Sequence, residues 1–150
     1  GPASAAERAE RAALDAERAA TLRRGDLAAF VDAWEALPLF ATQRALPPQV
    51  QAQQRTARLA HDALALAWAF EVAGLACMPD LRPAVAAARQ PLVFLTGALD
   101  TRFAALGASL DCPPWVRHRS VPGAGHNLLL EAPAAVAASL IDLMETPCQR

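Results

Sequence analysis

The stretch PLVFLTG at residues 91–97 decides the fold class of this chain. It is a short apolar run that ends in glycine, a pattern typical of a strand buried on both faces of a parallel sheet. After it, a helix is predicted at 101–109, a weaker strand at 116–121 and a last helix at 133–145. This β-α-β-α order indicates an α/β fold in which parallel strands are joined by a right-handed crossover.

The chain before this strand reads as helices only. Residues 5–22 are rich in Ala, Glu and Arg, which favours a helix, with Ser4 as its N-cap, Glu7 completing a capping box and Gly25 as its end. Further helices are predicted from apolar periodicity and capping residues over 27–34 and 63–73, and between them a third helix with Pro47 and Pro48 in its first turn. The first part is therefore all-helical, whereas the second alternates strands and helices.

Two parallel strands are too few for a stable sheet. Such sheets need several strands and cover on both faces, and the strand at 91–97 is too apolar for an exposed edge. The chain also opens with Gly1 rather than methionine, so Gly1 is not assumed to be the natural beginning. We therefore expect the rest of the sheet to lie outside these 150 residues.

Composition excludes several classes of protein. Hydrophobic residues make up 54% and charged residues 19%, and the net charge is -1, from 14 Lys+Arg against 15 Asp+Glu. With no basic face, nucleic acid is not an expected partner. The longest apolar run, 63–70, is too short to span a bilayer, and the first 24 residues are too rich in Glu and Arg for a signal peptide. No membrane association is expected.

The cysteines indicate neither a disulfide framework nor a zinc site. Cys77, Cys112 and Cys148 are widely spaced and odd in number, and none forms a C-x-x-C pair, which fits a reducing cytoplasm. No His, Cys, Asp or Glu cluster has the spacing of metal ligands, and no Gly-rich phosphate loop follows a strand. We expect no metal and no organic cofactor.

Asp100 and His126 are the residues best placed for chemistry. Each follows a predicted strand, and ligands of open parallel sheets bind beyond the carboxyl ends of the strands. A carboxylate there can orient an imidazole and stabilise its cation. Taken singly, Asp100 is equally well placed to cap the next helix, and His126 could be an ordinary loop residue. Their order, acid before base, favours a catalytic pair of the Ser-His-Asp kind.

The motifs TGALDTRF at 96–103 and GAGHNLLLEAP at 123–133 resemble the acid and base segments of α/β-hydrolases. Within that superfamily the chain is similar to the MenH family, the 2-succinyl-6-hydroxy-2,4-cyclohexadiene-1-carboxylate (SHCHC) synthases of menaquinone biosynthesis. Further matching stretches are ERAERAALD at 7–15, DAWEALPLFAT at 32–42, RLAHD at 58–62 and MPDL at 78–81. The resemblance implies a partial α/β-hydrolase fold, with a helical cap at 4–80, a core segment at 81–146 and flexible ends at 1–3 and 147–150.

The resemblance also assigns a set of binding residues. It implies an acidic small-molecule substrate, held by Arg11 and Arg58 and lined by the aromatic residues Trp34 and Phe40. Without it, Arg11 would be expected in a surface ion pair, and the two aromatic residues in the core. Asn127 could contact the substrate or satisfy its own loop. His61 and His118 lack a supporting pattern and are expected at the surface.

The G-x-S-x-G nucleophile elbow of α/β-hydrolases is missing from the sequence, since Ser4, Ser109, Ser120 and Ser139 all lack that context. Three hypotheses follow. The chain is part of a MenH-like lyase that eliminates pyruvate from a carboxylated cyclohexene intermediate, with its N-terminal half on the same or a separate chain. Alternatively, it is part of a cap-bearing hydrolase of ester or carbon–carbon bonds, or a non-catalytic fragment that pairs through its sheet edge. The 150 residues alone are expected to be inactive.

Overall fold

The computed structural model describes residues 1–110 and 113–145. Cys112, Cys148 and the end at 147–150 that we predict to be flexible lie outside the described residues. The chain divides into two compact units. The first consists of Gly1–Leu37 and Pro47–Leu81, and the second of Pro38–Leu46 and Arg82–Arg150. The short segment Pro38–Leu46 thus clusters with the strand-bearing part of the chain, although it lies within the sequence of the helical part.

The first unit contains helices only. They are α1 (Ala5–Arg23), α2 (Leu27–Glu35), α3 (Pro48–Leu59), α4 (Ala63–Ala73) and a 3₁₀ turn at Leu75–Cys77. The four α-helices agree with the sequence to within a residue or two, because their ends are set by local chemistry. The side chains of Ser4, Asp26 and Asp62 each accept a hydrogen bond from a backbone N–H in the first turn. Gly25 has φ of 82°, the left-handed conformation that ends α1.

The core of the first unit is small and rich in alanine. Ala19, Leu22 and Ala67 are fully buried where α1 packs against α4, and Phe30 and Phe70 pack around them. Small side chains let the two helices approach closely, and Leu22 supplies most of the buried volume. At the surface, Arg23 donates two hydrogen bonds to the Glu71 carboxylate, which lowers the pKa of Glu71.

The second unit is built on a two-stranded parallel sheet. Strand β1 (Leu92–Gly97) pairs with β2 (Val116–Val121) in a register that sets Leu92 opposite Val116 and Gly97 opposite Val121. Its helices are α5 (Arg82–Ala86), α6 (Thr101–Ala108), α7 (Leu128–Glu131) and α8 (Pro133–Glu145), and Pro38–Ala45 is a 3₁₀ segment. Helix α6 packs on both strands, whereas α8 packs on β1. The β-α-β-α order predicted from the sequence is therefore confirmed.

Strand β1 is only partly buried within the described part of the chain. Its apolar run indicates a strand covered on both faces, yet Leu92 is 37% exposed and only the carboxyl end, Thr96 and Gly97, is buried. The reason is that the described sheet has two strands, so few side chains cover its faces. The short helices α5 and α7 were also not predicted, since four or five residues are too few to show a helical period.

Among the described residues, no single helix is long and apolar enough to cross a membrane. Two consecutive segments together have the length and hydropathy of a membrane span, Pro48–Leu59 and Ala63–Cys77, but their axes bend by 84° at the break between them.

Replacing Leu22 by alanine should destabilise the first unit by about 2–5 kcal/mol, because Leu22 is fully buried and its loss leaves a cavity. The matched control is Leu64→Ala on α4, where the side chain is 60% exposed and the expected change is within about 0.5 kcal/mol. Urea unfolding followed by circular dichroism measures both. If both variants lost the same free energy of unfolding, Leu22 would not be the core residue of this unit.

Candidate active site

The parallel register brings the loops after β1 and β2 to the same edge of the sheet. Two backbone hydrogen bonds tie these loops together: Ala98 N–H donates to the Val121 carbonyl at 2.9 Å, and Leu99 N–H donates to the Ala124 carbonyl at 2.9 Å. Asp100 lies at the end of the first loop and His126 in the second. The two residues, 26 positions apart in sequence, therefore meet through backbone pairing rather than through flexible side chains.

Gly97 allows this close approach. A Cβ atom at this position would lie 2.0 Å from the carbonyl oxygen of Gly125 and 2.3 Å from that of Ala124, and both are backbone atoms that cannot rotate away. Any larger residue at Gly97 would push the His126 loop off the end of the strand. The glycine that marks the end of the apolar run in the sequence thus has a structural function in the site.

The two carboxylate oxygens of Asp100 have different partners. Oδ1 accepts a hydrogen bond from Phe103 N–H at 3.2 Å and so caps α6, whereas Oδ2 lies 2.6 Å from His126 Nδ1. The side chain is buried, with Asp100 8% exposed. The two roles that the sequence leaves open for Asp100, helix cap and partner of a histidine, are therefore both filled by the one side chain.

The bond to Asp100 fixes how His126 can act. An ionised carboxylate only accepts hydrogen bonds, so the neutral imidazole that pairs with it is the tautomer with the proton on Nδ1 and the lone pair on Nε2. Among the described residues, no side chain lies within hydrogen-bond distance of Nε2. His126 is half-buried, so this nitrogen is positioned to take a proton from a group outside the described residues. The serines of the second unit, Ser109, Ser120 and Ser139, are all among the described residues, and none is hydrogen-bonded to His126.

Two phenylalanine rings pack against the imidazole. The ring centroids of Phe40 and Phe103 lie 6.1 Å and 5.0 Å from that of His126. Phe40 comes from the Pro38–Ala45 segment, which belongs to the same unit as His126. Sequence analysis missed Phe103. The sequence could have indicated this contact, because Phe103 follows Asp100 by three residues and lies in the first turn of the helix that Asp100 caps.

The loop around His126 is held by Glu131, a second residue that sequence analysis missed. Gly125 N–H donates to Glu131 Oε2 at 2.7 Å, and Asn127 N–H donates to Glu131 Oε1 at 3.1 Å. Asn127 is the N-cap of α7, but its side chain makes no capping hydrogen bond. It is half-buried beside His126 and has no side-chain partner among the described residues.

Arg11, Trp34 and Arg58 lie in the first unit. Arg11 is half-buried on α1 and makes no hydrogen bond or ion pair within the described part of the chain, so the expected surface ion pair is not formed there. Arg58 donates to Glu35 at 2.8 Å. Trp34 packs with Phe30 and Phe70 in an aromatic cluster, and the Arg18 guanidinium lies 5.1 Å from its ring centroid.

His118 corrects one prediction. It was expected at the surface, but it is half-buried, and its Nε2 lies 2.8 Å from the Thr96 hydroxyl. The ring packs beside Phe94 and over Gly107, where a Cβ atom would lie 2.4 Å from it. His61 is exposed, as predicted. Within residues 1–110 and 113–145, no group of three or more His, Cys, Asp or Glu side chains could hold a metal ion.

The chain is similar in sequence to one group of enzymes. It is 34% identical to the 2-succinyl-6-hydroxy-2,4-cyclohexadiene-1-carboxylate synthase of Escherichia fergusonii, over 96% of this chain and 54% of that protein. It is 32% identical to a putative synthase of the same name from Bacillus subtilis, over 85% of this chain and 47% of that protein. The chain thus spans about half the length of the curated relatives it matches. No protein-family model matches it.

The solved structure of MenH from S. aureus has the same fold. It superimposes with a TM-score of 0.92 at 27% sequence identity, over 97% of this chain and 55% of that chain. The resemblance to the SHCHC synthases that the motifs predicted is confirmed, and the helices and small parallel sheet agree with part of an α/β-hydrolase fold.

The two functions of the Asp100 carboxylate should separate by substitution. Asp100→Ser keeps a side-chain oxygen that can cap α6, whereas Asp100→Ala removes both the cap and the bond to His126. The free energy of unfolding of the alanine variant should therefore be about 0.5–2 kcal/mol lower than that of the serine variant. Both variants should lose the downfield NMR resonance of the His126 Nδ1 proton. If the serine variant kept that resonance, the bond from Oδ2 to His126 would not be its source.

Proposed function

We propose that this chain, which resembles SHCHC synthases over nearly its whole length, is the C-terminal half of such a lyase, whose missing N-terminal half carries the nucleophile-bearing strands. The whole protein would eliminate pyruvate from a carboxylated cyclohexene intermediate of menaquinone biosynthesis. The Asp100–His126 pair supports this proposal most directly, because its 2.6 Å bond prepares a base whose accepting nitrogen has no partner among the described residues.

In this proposal His126 acts on a serine from the part of the fold that lies outside the chain. Nε2 takes the serine hydroxyl proton, and the resulting alkoxide removes a proton from the substrate. As the electron pair of the broken C–H bond forms a new double bond, the bond that joins the pyruvate unit to the ring breaks. The leaving group takes the proton from the His126 imidazolium and departs as pyruvate, which restores the neutral imidazole. Asp100 stabilises the imidazolium and stays ionised throughout. The half-buried setting between Phe40 and Phe103 strengthens that charge interaction by limiting access of water.

Arg11 is the proposed contact for a substrate carboxylate. Arg11 is half-buried, and its guanidinium has no hydrogen-bond or ion-pair partner within the described residues, so it can bind an anion without first breaking an ion pair. A planar guanidinium binds a carboxylate through two parallel hydrogen bonds. Arg58 is a weaker candidate, because its bond to Glu35 at 2.8 Å would have to be kept or exchanged on substrate binding. Trp34 in the first unit, and Phe40 and Asn127 in the second, are proposed as further substrate-binding residues.

Exposed apolar surface supports the proposal that more of the fold covers each unit. In the first unit, Leu64, Trp68 and Val72 are 60%, 61% and 49% exposed along α4. In the second, Leu140, Ile141 and Met144 are 56%, 56% and 86% exposed along α8. Contiguous apolar faces of this kind are usually covered by protein. We propose a cytoplasmic enzyme without cofactor, in which the N-terminal half of the fold is the partner of these surfaces.

Removal of the Arg11 guanidinium should weaken substrate use by the complete protein. Because a charged hydrogen-bonded contact is lost, Arg11→Ala should lower kcat/KM for pyruvate release by roughly 10- to 100-fold, mainly through KM. Arg24→Ala, an exposed arginine just past the end of the same helix, is the control and should leave kcat/KM unchanged. Pyruvate is measured with a coupled lactate dehydrogenase assay.

The same preparations distinguish the alternative hydrolase. Hydrolysis of neutral esters that is insensitive to Arg11→Ala, without pyruvate release from the carboxylated substrate, would replace the lyase proposal by a cap-bearing hydrolase. If the complete protein had neither activity while this chain formed a stable oligomer, the non-catalytic alternative would hold.

A further inference from the structure

Glu131 contacts the backbone on both sides of His126. Its two oxygens accept one hydrogen bond each, from Gly125 N–H at 2.7 Å and from Asn127 N–H at 3.1 Å. These two N–H groups immediately flank the residue that carries the imidazole. A single carboxylate thus spans the short segment whose conformation decides where the ring lies.

The position of Glu131 explains why a carboxylate is used. It is the last residue of the short helix α7, whose N-cap, Asn127, makes no side-chain capping bond. The first N–H groups of a helix lack partners within the helix, and Glu131 supplies an acceptor for one of them and for the loop before it. Because both partners are donors, an ionised carboxylate with two acceptor oxygens satisfies them, whereas an amide would present an N–H₂ group to one.

Packing around Gly125 is also tight. A Cβ atom on Gly125 would lie 2.1 Å from Thr42 Oγ1 and 2.8 Å from Glu131 Oε2, so the space beside this glycine is already filled by these two side chains. Together with the close backbone approach at Gly97, this packing restricts the loop that carries His126.

We infer that Glu131 is a positioning residue for His126: its carboxylate clamps the amides of Gly125 and Asn127 and thereby holds the imidazole on Asp100. The inference rests on the proposed role of His126 as a base, but it does not depend on the identity of the substrate. A residue that only stabilised the fold would affect the global free energy of unfolding without acting on the His126 ring in particular.

The test uses this chain and the variant Glu131→Gln, with Glu145→Gln, an exposed glutamate of the same unit, as control. In Glu131→Gln, amide hydrogen exchange at Gly125 and Asn127 should accelerate by about 10- to 100-fold, and the His126 Nδ1 proton resonance should broaden or vanish. The control should show neither change. Unchanged exchange and an unchanged resonance in folded Glu131→Gln would overturn the inference.

A second measurement keeps the inference testable if Glu131→Gln does not fold. In the unaltered chain, the Gly125 and Asn127 amides should exchange at least about tenfold more slowly than the Gly123 amide in the exposed turn before them. Equally fast exchange at all three positions would show that no clamp exists. Both measurements are independent of pyruvate release, so failure of the proposed lyase activity and failure of the clamp remain distinguishable.

In the complete protein, Glu131→Gln should lower kcat by about 10- to 100-fold and leave KM within about twofold, because the base is displaced while the binding residues are unaltered. Glu131→Asp, which keeps the charge on a shorter side chain that cannot reach both amides, should restore part of the loss. A change confined to KM would contradict a role exerted through His126.

Discussion

The parallel pairing of β1 with β2 is the constraint on which the site depends. Since Gly97 lies opposite Val121, both loops leave the same edge of the sheet, and two backbone hydrogen bonds hold them side by side. The missing Cβ of Gly97 lets the carbonyls of Ala124 and Gly125 close on the end of β1. Backbone contacts of this kind tolerate little displacement, so the 2.6 Å separation between Asp100 and His126 follows from the sheet itself.

The Asp100 side chain both caps a helix and binds His126. Oδ1 of Asp100 caps α6 by accepting the Phe103 N–H, so the carboxylate lies at the N-terminus of that helix. The same bond limits rotation of the side chain, so that Oδ2 stays directed at His126. On the other flank, Glu131 fixes the backbone that carries the imidazole. The Asp100 carboxylate and the backbone of His126 are thus each held by contacts in addition to the bond that joins the two side chains.

The helical unit is organised by a different principle. Its core is thin, with Ala19, Leu22 and Ala67 between α1 and α4, and much of its larger apolar surface stays exposed. An ion pair lies beside its aromatic residues: Arg18 pairs with Asp15, and the same Arg18 guanidinium lies over the ring of Trp34. The core of this unit is therefore small compared with its exposed apolar surface, and the chain spans only about half the length of the relatives it matches.

The sequence by itself determined the longer helices α1–α4, α6 and α8, both strands and the choice of Asp100 and His126 as candidates, because caps, glycines and apolar periods act over a few residues. Only the tertiary structure decided that Asp100 both caps a helix and binds His126, that Phe103 packs on the imidazole, that Glu131 clamps its loop and that His118 is half-buried. Each of these depends on strand register and on how closely two backbones approach at Gly97. Such distances join residues far apart in the chain, and no local pattern of residue types encodes them.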